Sequence, residues 1–443
     1  MARGQKVLKA FMVSLGCAKN LVDSERLLGC LTGLGLVVTD DPKAADLLMV
    51  NTCAFIEPAV KESIETILEL SQGKKKGAKL AVVGCLPSRD LAALVSDLPE
   101  ADLLATRADY PRLPQLLANL MNLKAKPLGP FETWSRQLST PPWRAYLKVA
   151  EGCDHRCAYC LIPSLRGPLA TRSLAELTRE AAELVAGGVV ELTLVAQDLT
   201  AWCHDGQDLG DLVSALAAIN GLKWARLMYA YPERLTEKLV RRLAQIPRVP
   251  PYLDLPIQHA SPRILKRMGR PASDPLALVK RLREWWPGVA LRTTLMVGFP
   301  GEDESDFEKM VALVEEARFD HLGVFAFEPE EPAPAARFPH QVPRMVAKKR
   351  RIELLKRQRK ISLANNRARV EAEYDVLVEG PAEDSPLIMT GRAYFQAPEV
   401  DGLIYFDGVQ PLGGQVVRAK VTRAQAYDLA AGLVDESARV GRE

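Results

Sequence analysis

The chain has 443 residues, 48% hydrophobic and 26% charged, with eight cysteines and a formal net charge of +3. That composition excludes a disordered chain and suits about three globular domains at roughly 150 residues each. So small a net charge names no partner by itself, so charge must be followed locally.

The first element, in MARGQKVLKAFMV, passes from a short basic start into a strand-like run. It lacks the apolar stretch and small-residue cleavage site of a secretion signal. No later run reaches the roughly 18 apolar residues a membrane helix needs. The expected setting is the cytoplasm, away from membranes, where cysteines point to metal or redox chemistry before disulfides.

Over residues 1–126, apolar runs at Val7–Leu15, Leu47–Val50, Leu80–Val83 and Leu103–Ala105 alternate with helical stretches such as Leu21–Leu34 and Pro58–Leu70. This is the pattern of a parallel α/β domain. Pro58 suits a helix start, where no backbone N–H is required. Residues 127–142 hold four prolines and little periodicity, which reads as an interdomain linker.

A second domain is expected over 143–369. Strand-like runs recur at Ala145–Val149, Val189–Val195, Ala225–Tyr229, Leu253–Ile257, Leu291–Val297 and Leu322–Phe327, with helical segments between. Six βα-type units suggest a parallel partial barrel. An open doubly wound sheet is the alternative. The last domain, 370–443, has short, turn-bounded runs at Tyr374–Val378, Leu387–Phe395, Leu403–Phe406 and Gln415–Val421, the pattern of a small antiparallel β-barrel.

Charge is unevenly placed. Residues 342–369 carry eleven Lys/Arg against Glu353 alone, a net of +10, and residues 370–443 carry six basic and thirteen acidic residues, a net of −7. Each is ordinarily a solvated face. The functional reading is an RNA contact for the first and a basic-protein contact for the second.

The strongest local signal is Cys153-Asp-His-Arg-Cys157-Ala-Tyr-Cys160, just after the run ending at Val149. A loop leaving the C-terminal end of a barrel strand is where such folds place their chemistry. Three thiolates can hold three irons of a 4Fe–4S cluster and leave the fourth open to a small molecule, whereas electron carriers commonly use four. A zinc site using His155 is the alternative, though His155 is cramped between Cys153 and Cys157.

A second set is dispersed. Cys17, Cys53 and Cys85 each follow a strand-like run, in FMVSLGC, LLMVNTC and AVVGC. Parallel strands end on one crevice, so these cysteines are expected to converge there as a second three-cysteine metal site. The alternative is three buried core cysteines. Cys30 reads as core, and Cys203, beside His204, as incidental.

These residues resemble a family. The C-x3-C-x2-C motif, with GCAKN (16–20), NTCAF (51–55), VVGCL (82–86), EGCDHRCAYCLIPSLRG (151–167) and VGFPGE (297–302), resembles the radical S-adenosylmethionine (SAM) methylthiotransferases. The terminal MTGRAYFQAPEVDG (389–402) resembles their TRAM-type β-barrel. The resemblance spans essentially the whole chain, in order. It implies two 4Fe–4S clusters, one on Cys153, Cys157 and Cys160, the other on Cys17, Cys53 and Cys85. It also implies SAM both as source of a deoxyadenosyl radical and as methyl donor.

Within the family, GCAKNLVDSE (16–25), NTCAFI (51–56) and LIPSLRG (161–167) resemble the class that modifies an aspartate β-carbon of a small-subunit ribosomal protein, the twelfth. The alternative class modifies a tRNA adenosine near the anticodon. The acidic last domain agrees with the first, since RNA binding draws on positive charge. Sulfur and electron donors are not specified by the sequence.

Polar residues at strand ends are expected in the SAM and substrate shell: Gln197, Asp198, His259, Arg292 and Gly298. Four of them have a plainer reading. Gln197 and Asp198 can cap a helix, His259 can be a satisfied core histidine, and Arg292 can form an ion pair. His204, His321, His340 and the Trp285–Trp286 pair read as structural.

Overall fold

A computed structural model describes residues 7–124, 129–406 and 412–434. The first six residues and positions 127 and 128 of the proline-rich stretch lie outside the described residues. The chain divides into two compact units, the first made of residues 1–139, 151–155 and 160–170 and the second of the remainder.

The first unit is built on a five-stranded parallel sheet: β1 (Lys9–Ser14), β2 (Val37–Val38), β3 (Leu47–Thr52), β4 (Lys79–Gly84) and β5 (Leu103–Ala105), in the order β2-β1-β3-β4-β5. Every residue of β3 is buried, as expected of a central parallel strand covered on both faces. Helices α1 (Ala18–Gly33) and α2 (Glu57–Gly73) follow β1 and β3. Two apolar clusters fill the unit, one around Leu27, Leu31 and Met49, the other around Leu48, Val50 and Ile67.

The described part of the expected linker is not a free connector. Phe131 and Trp134 are buried in the first cluster, and the Arg136 guanidinium and the Ser139 N–H both bond the Glu25 carboxylate. Gly29 is a close approach here: a Cβ on it would lie 1.9 Å from the Ser135 carbonyl oxygen.

In the second unit the six expected runs become β6 (Arg144–Lys148), β7 (Glu191–Val195), β8 (Trp224–Leu227), β9 (Tyr252–Asp254), β10 (Ala290–Val297) and β11 (His321–Ala326). β6, β7 and β8 pair in parallel, as do β9, β10 and β11. The Ala230 N–H donates to the Asp254 carbonyl, joining the two sets. Strand order follows chain order without reversal, which is a partial barrel rather than a doubly wound sheet.

A closed five-stranded barrel ends the chain: β12 (Glu373–Ala382), β13 (Ser385–Arg392), β14 (Ile404–Phe406), β15 (Val416–Ala424) and β16 (Leu429–Leu433), in the order β12-β13-β14-β16-β15. Four pairings are antiparallel and β14–β16 is parallel.

The terminal barrel is docked on the N-terminal ends of the central strands through buried charge. The Glu191 carboxylate receives the guanidinium groups of Arg226 and Arg392. Arg144 reaches Glu379 and Glu399, and the Tyr252 hydroxyl donates to Asp401 at 2.7 Å. Glu379, Glu399 and Asp401, counted with the acidic last domain, are therefore spent within the chain. Among the described residues, no helix is long and apolar enough to cross a membrane.

Candidate metal centres and active site

Three adjacent parallel strands deliver the dispersed cysteines. Cys17 caps α1 just after β1, Cys53 directly follows β3, and Cys85 opens a short helix, α3 (Cys85–Arg89), at the end of β4. The register places Ser14 beside Asn51 and Thr52 beside Gly84, so all three turns leave the sheet at one level. Two glycines make the close approach. Gly16 has φ +94°, and a Cβ there would lie 2.7 Å from Cys53 Cβ and 2.9 Å from its Sγ. Gly84 has φ +99°, and a Cβ there would lie 2.4 Å from Asn51 Oδ1. Both need a backbone that other residues rarely adopt.

The turns are cross-tied. The Thr52 hydroxyl donates to the Val83 carbonyl at 2.6 Å and accepts from the Leu86 N–H at 3.1 Å. Asn20 Nδ2 donates to the Leu15 carbonyl, and Asn51 Nδ2 to the Asn20 carbonyl and the Ser24 hydroxyl. The thiols are set apart electrostatically. Burial pushes Cys53 up to about 11 and raises Cys85, with Arg166 opposing the latter. At Cys17, desolvation is outweighed by the Lys19 and Arg166 cations and by backbone N–H groups of Asn20 and Lys19, and its thiol is held below its ordinary value.

The C-x3-C-x2-C loop has a closed neck. The Cys153 N–H donates to the Gly167 carbonyl at 3.1 Å, and a Cβ on Gly152 would lie 2.0 Å from the Pro168 carbonyl oxygen. In the second unit, the Ala158 N–H donates to the Met268 carbonyl and its own carbonyl accepts from Ala335. Beside Cys157, burial raises the thiol while Arg270 and Tyr159 oppose it. The Arg270 guanidinium lies 4.3 Å from the centre of the Tyr231 ring and reaches Glu233.

Both sets offer only cysteine sulfur. Among the described residues, no three Cys, His, Asp or Glu side chains close on a single metal ion. Cys17, Cys53 and Cys85, on neighbouring turns at one end of the sheet, approached by glycines and with Arg166 donating to Cys85, suit an anionic iron–sulfur cluster, whose bulk separates its ligands.

Three family models match in chain order: an uncharacterized protein family, UPF0004, over residues 9–106, the radical SAM superfamily over 147–314 and the TRAM domain over 371–434. The ribosomal protein uS12 methylthiotransferase RimO of Geobacter sulfurreducens is 44% identical over 440 residues, covering 96% of this chain and 98% of that protein. The enzyme of the same name from Syntrophobacter fumaroxidans is 45% identical, covering 97% and 99%. This chain belongs to the uS12 methylthiotransferase family. Among solved structures, the radical SAM methyltransferase TsrM of Kitasatospora setae shares the fold, with TM-score 0.54, 17% identity, and 72% of this chain and 73% of that one covered. As a radical SAM methylthiotransferase, the chain is a transferase that works with a 4Fe–4S cluster and SAM.

Within this uS12 methylthiotransferase family member, the expected SAM-shell residues fall out differently. Gln197 is half-buried at the C-terminal end of β7, where a ligand would sit. Asp198 is a cap: its carboxylate accepts from the Ala201 N–H at 3.1 Å and the Thr200 hydroxyl, and Arg234 pairs with it. His259 is fully buried. Its Nδ1 accepts from the Ser261 N–H and its Nε2 faces Glu302 at 3.3 Å, so neither nitrogen is left for SAM. Arg292 lies near the N-terminal end of β10, away from the strand ends where chemistry is expected, between Asp254 and Asp401 at 3.8 and 3.9 Å. Gly298, at φ +75°, makes room for a helix. A Cβ there would lie 2.4 Å from the Cβ of Ala347, in α4 (Arg344–Arg367).

The residues not singled out from sequence are charged neighbours of the cysteine sets: Asp23, Arg107, Glu151 and Arg166 in the first unit, and Arg270 in the second. Glu151 and Arg166 flank the cysteine motif closely, and charge so near a metal loop was the available signal.

Proposed function

We propose that this chain places a methylthio group on the β-carbon of an aspartate in ribosomal protein uS12. The supporting observation is the convergence of Cys17, Cys53 and Cys85 at the ends of β1, β3 and β4, in a chain that also carries Cys153, Cys157 and Cys160 after a barrel strand. Cys153, Cys157 and Cys160 would hold the SAM-binding cluster, and Cys17, Cys53 and Cys85 the auxiliary one. The bound cofactors supply reductive SAM cleavage, sulfur delivery and methyl transfer.

The chain's own residues bind, orient and shield. The target C–H bond is too weakly acidic for any side chain to ionise, which is why a radical is required. Gln197 stays a candidate for the SAM shell by its place at the end of β7. A substrate in the ribosome places the reaction in the cytoplasm.

The basic stretch divides in two. Arg350 pairs with Glu302 and Glu304, Arg357 with Glu315 and Glu353, and Arg369 with Asp320. Lys348, Lys349, Lys356, Arg359, Lys360 and Arg367 are exposed. These six are proposed to meet RNA phosphates around the protein substrate.

The test is an anaerobic reaction of the iron-reconstituted protein with SAM, reductant and sulfide, on small ribosomal subunits or unmodified tRNA. Mass spectrometry should show methylthio gain on a uS12 aspartate. Gain on a tRNA adenosine instead would overturn the substrate assignment. For the RNA contact, Lys356→Glu with Lys360→Glu should raise KM for subunits and leave that for free uS12 unchanged. Equal effects on both would remove it.

A further inference from the structure

The auxiliary cysteines sit beside four charges that neither the family nor the reaction names. Arg166 Nη2 donates to Cys85 Sγ at 3.4 Å and to Asn20 Oδ1 at 3.0 Å, while its Nη1 donates to Asp23 at 3.0 Å and to Glu151 at 3.2 Å. Arg107 closes the ring, with Nη1 2.8 Å from Asp23 and Nη2 2.6 Å from Glu151. None of the four side chains is more than 14% exposed. Two cations and two carboxylates cancel. Removing any one leaves a net charge in a medium that screens it poorly, within reach of the thiolates.

The ring also ties together parts distant in sequence. Asp23 is on α1, six residues after Cys17, and Arg107 follows β5. Glu151 stands two residues before Cys153, and Arg166 ends a short helix six residues after Cys160. Four directed donations from one planar guanidinium fix its position, a geometry that a lysine ammonium does not reproduce.

We propose that Arg166 is a positioning residue for the auxiliary site: it holds Cys85 against the base of the C-x3-C-x2-C loop, and its charge, balanced by Asp23, sets the reduction potential of the cluster held there. The inference rests on the reading that Cys17, Cys53 and Cys85 hold an iron–sulfur cluster. A cation donating to a ligand sulfur stabilises the reduced, more negative cluster. A nearby carboxylate does the reverse.

The test is redox titration of the two-cluster holoprotein, followed by electron paramagnetic resonance, on wild type, Arg166→Gln and Asp23→Asn. Arg166→Gln should move the auxiliary couple at least about tenfold toward the oxidised form, 59 mV more negative for one electron. Asp23→Asn should move it the other way, and the SAM-site couple should move less in both. Opposite signs are not produced by general loosening of the fold. If one variant fails to assemble, the other still carries a signed expectation. Unchanged potentials, or shifts of one sign in both variants, overturn the proposal. A wild-type protein that binds one cluster only removes the underlying cysteine reading instead, and is recognised before any variant is made.

Discussion

The guanidinium of Arg392 in the terminal barrel is buried against the carboxylate of Glu191 at the foot of β7, 201 residues earlier in the chain. Arg226 donates to the same carboxylate at 2.7 Å. Burial alone would raise the Glu191 carboxyl, but Arg392 and Arg226 outweigh it and hold the group at about 2. A depressed carboxyl stabilises the fold fully above its ordinary value of 4.5 and loses that contribution as pH falls toward 2. Acid should therefore weaken the docking of the terminal barrel progressively between pH 4.5 and 2. Glu191→Gln should cost about 3 kcal/mol at neutral pH, because it leaves two buried cations short of a partner. Its unfolding curve should depend less on pH between 4.5 and 2. Equal pH dependence in denaturant melts of both proteins would refute this.

The two cysteine sets should separate chemically. Cys53→Ala is expected to lose roughly half of the bound iron, to keep SAM cleavage and to stop sulfur insertion. Cys157→Ala should abolish SAM cleavage. Iron analysis with assays of methionine and methylthio product distinguishes them, and normal sulfur insertion by Cys53→Ala would remove the auxiliary assignment.

Gly84→Ala puts a Cβ into Asn51 Oδ1 and the Thr52 backbone at a φ of +99°. The backbone strain should cost about 1–3 kcal/mol. Because the turn carries Cys85, the variant should also take up less auxiliary iron, while Gly33→Ala, where a Cβ meets nothing within 4 Å, should match wild type. Metal analysis beside a thermal melt reads both.

Gly298 and His259 share one task. The Glu302 carboxylate accepts from the Gly298 N–H at 2.8 Å and from Arg350 of α4 at 2.6 Å, and it faces His259. Gly298→Ala should therefore loosen α4 and lower Tm by several degrees, roughly what 1–2 kcal/mol produces in a domain of this size. SAM affinity should hold. A variant with unchanged Tm and weakened SAM binding would return Gly298 to the cofactor shell.

The sequence by itself marked most of the strands as apolar runs and the six cysteines that follow them. Parallel strands read as apolar runs because both faces are covered, and the runs ending at Leu15, Val50 and Val83 are each followed within three residues by a cysteine. It did not reveal β16, whose LAAGL holds no β-branched residue; that segment is a strand because barrel closure gives it β14 and β15 as partners. Nor did it show which charges are spent internally. Glu379, Glu399 and Asp401 count toward an acidic surface in sequence, yet in the fold they meet Arg144, Tyr146 and Tyr252. Gly298, His259 and Arg292 looked like ligand-shell residues from their places in the chain. Tertiary structure gave them a helix, a buried glutamate and a pair of aspartates, because local sequence marks where a strand ends and only packing decides what faces it. The same holds in reverse for Arg166: its partners Asn20, Asp23 and Cys85 lie 146, 143 and 81 residues away, and only the folded chain brings them together.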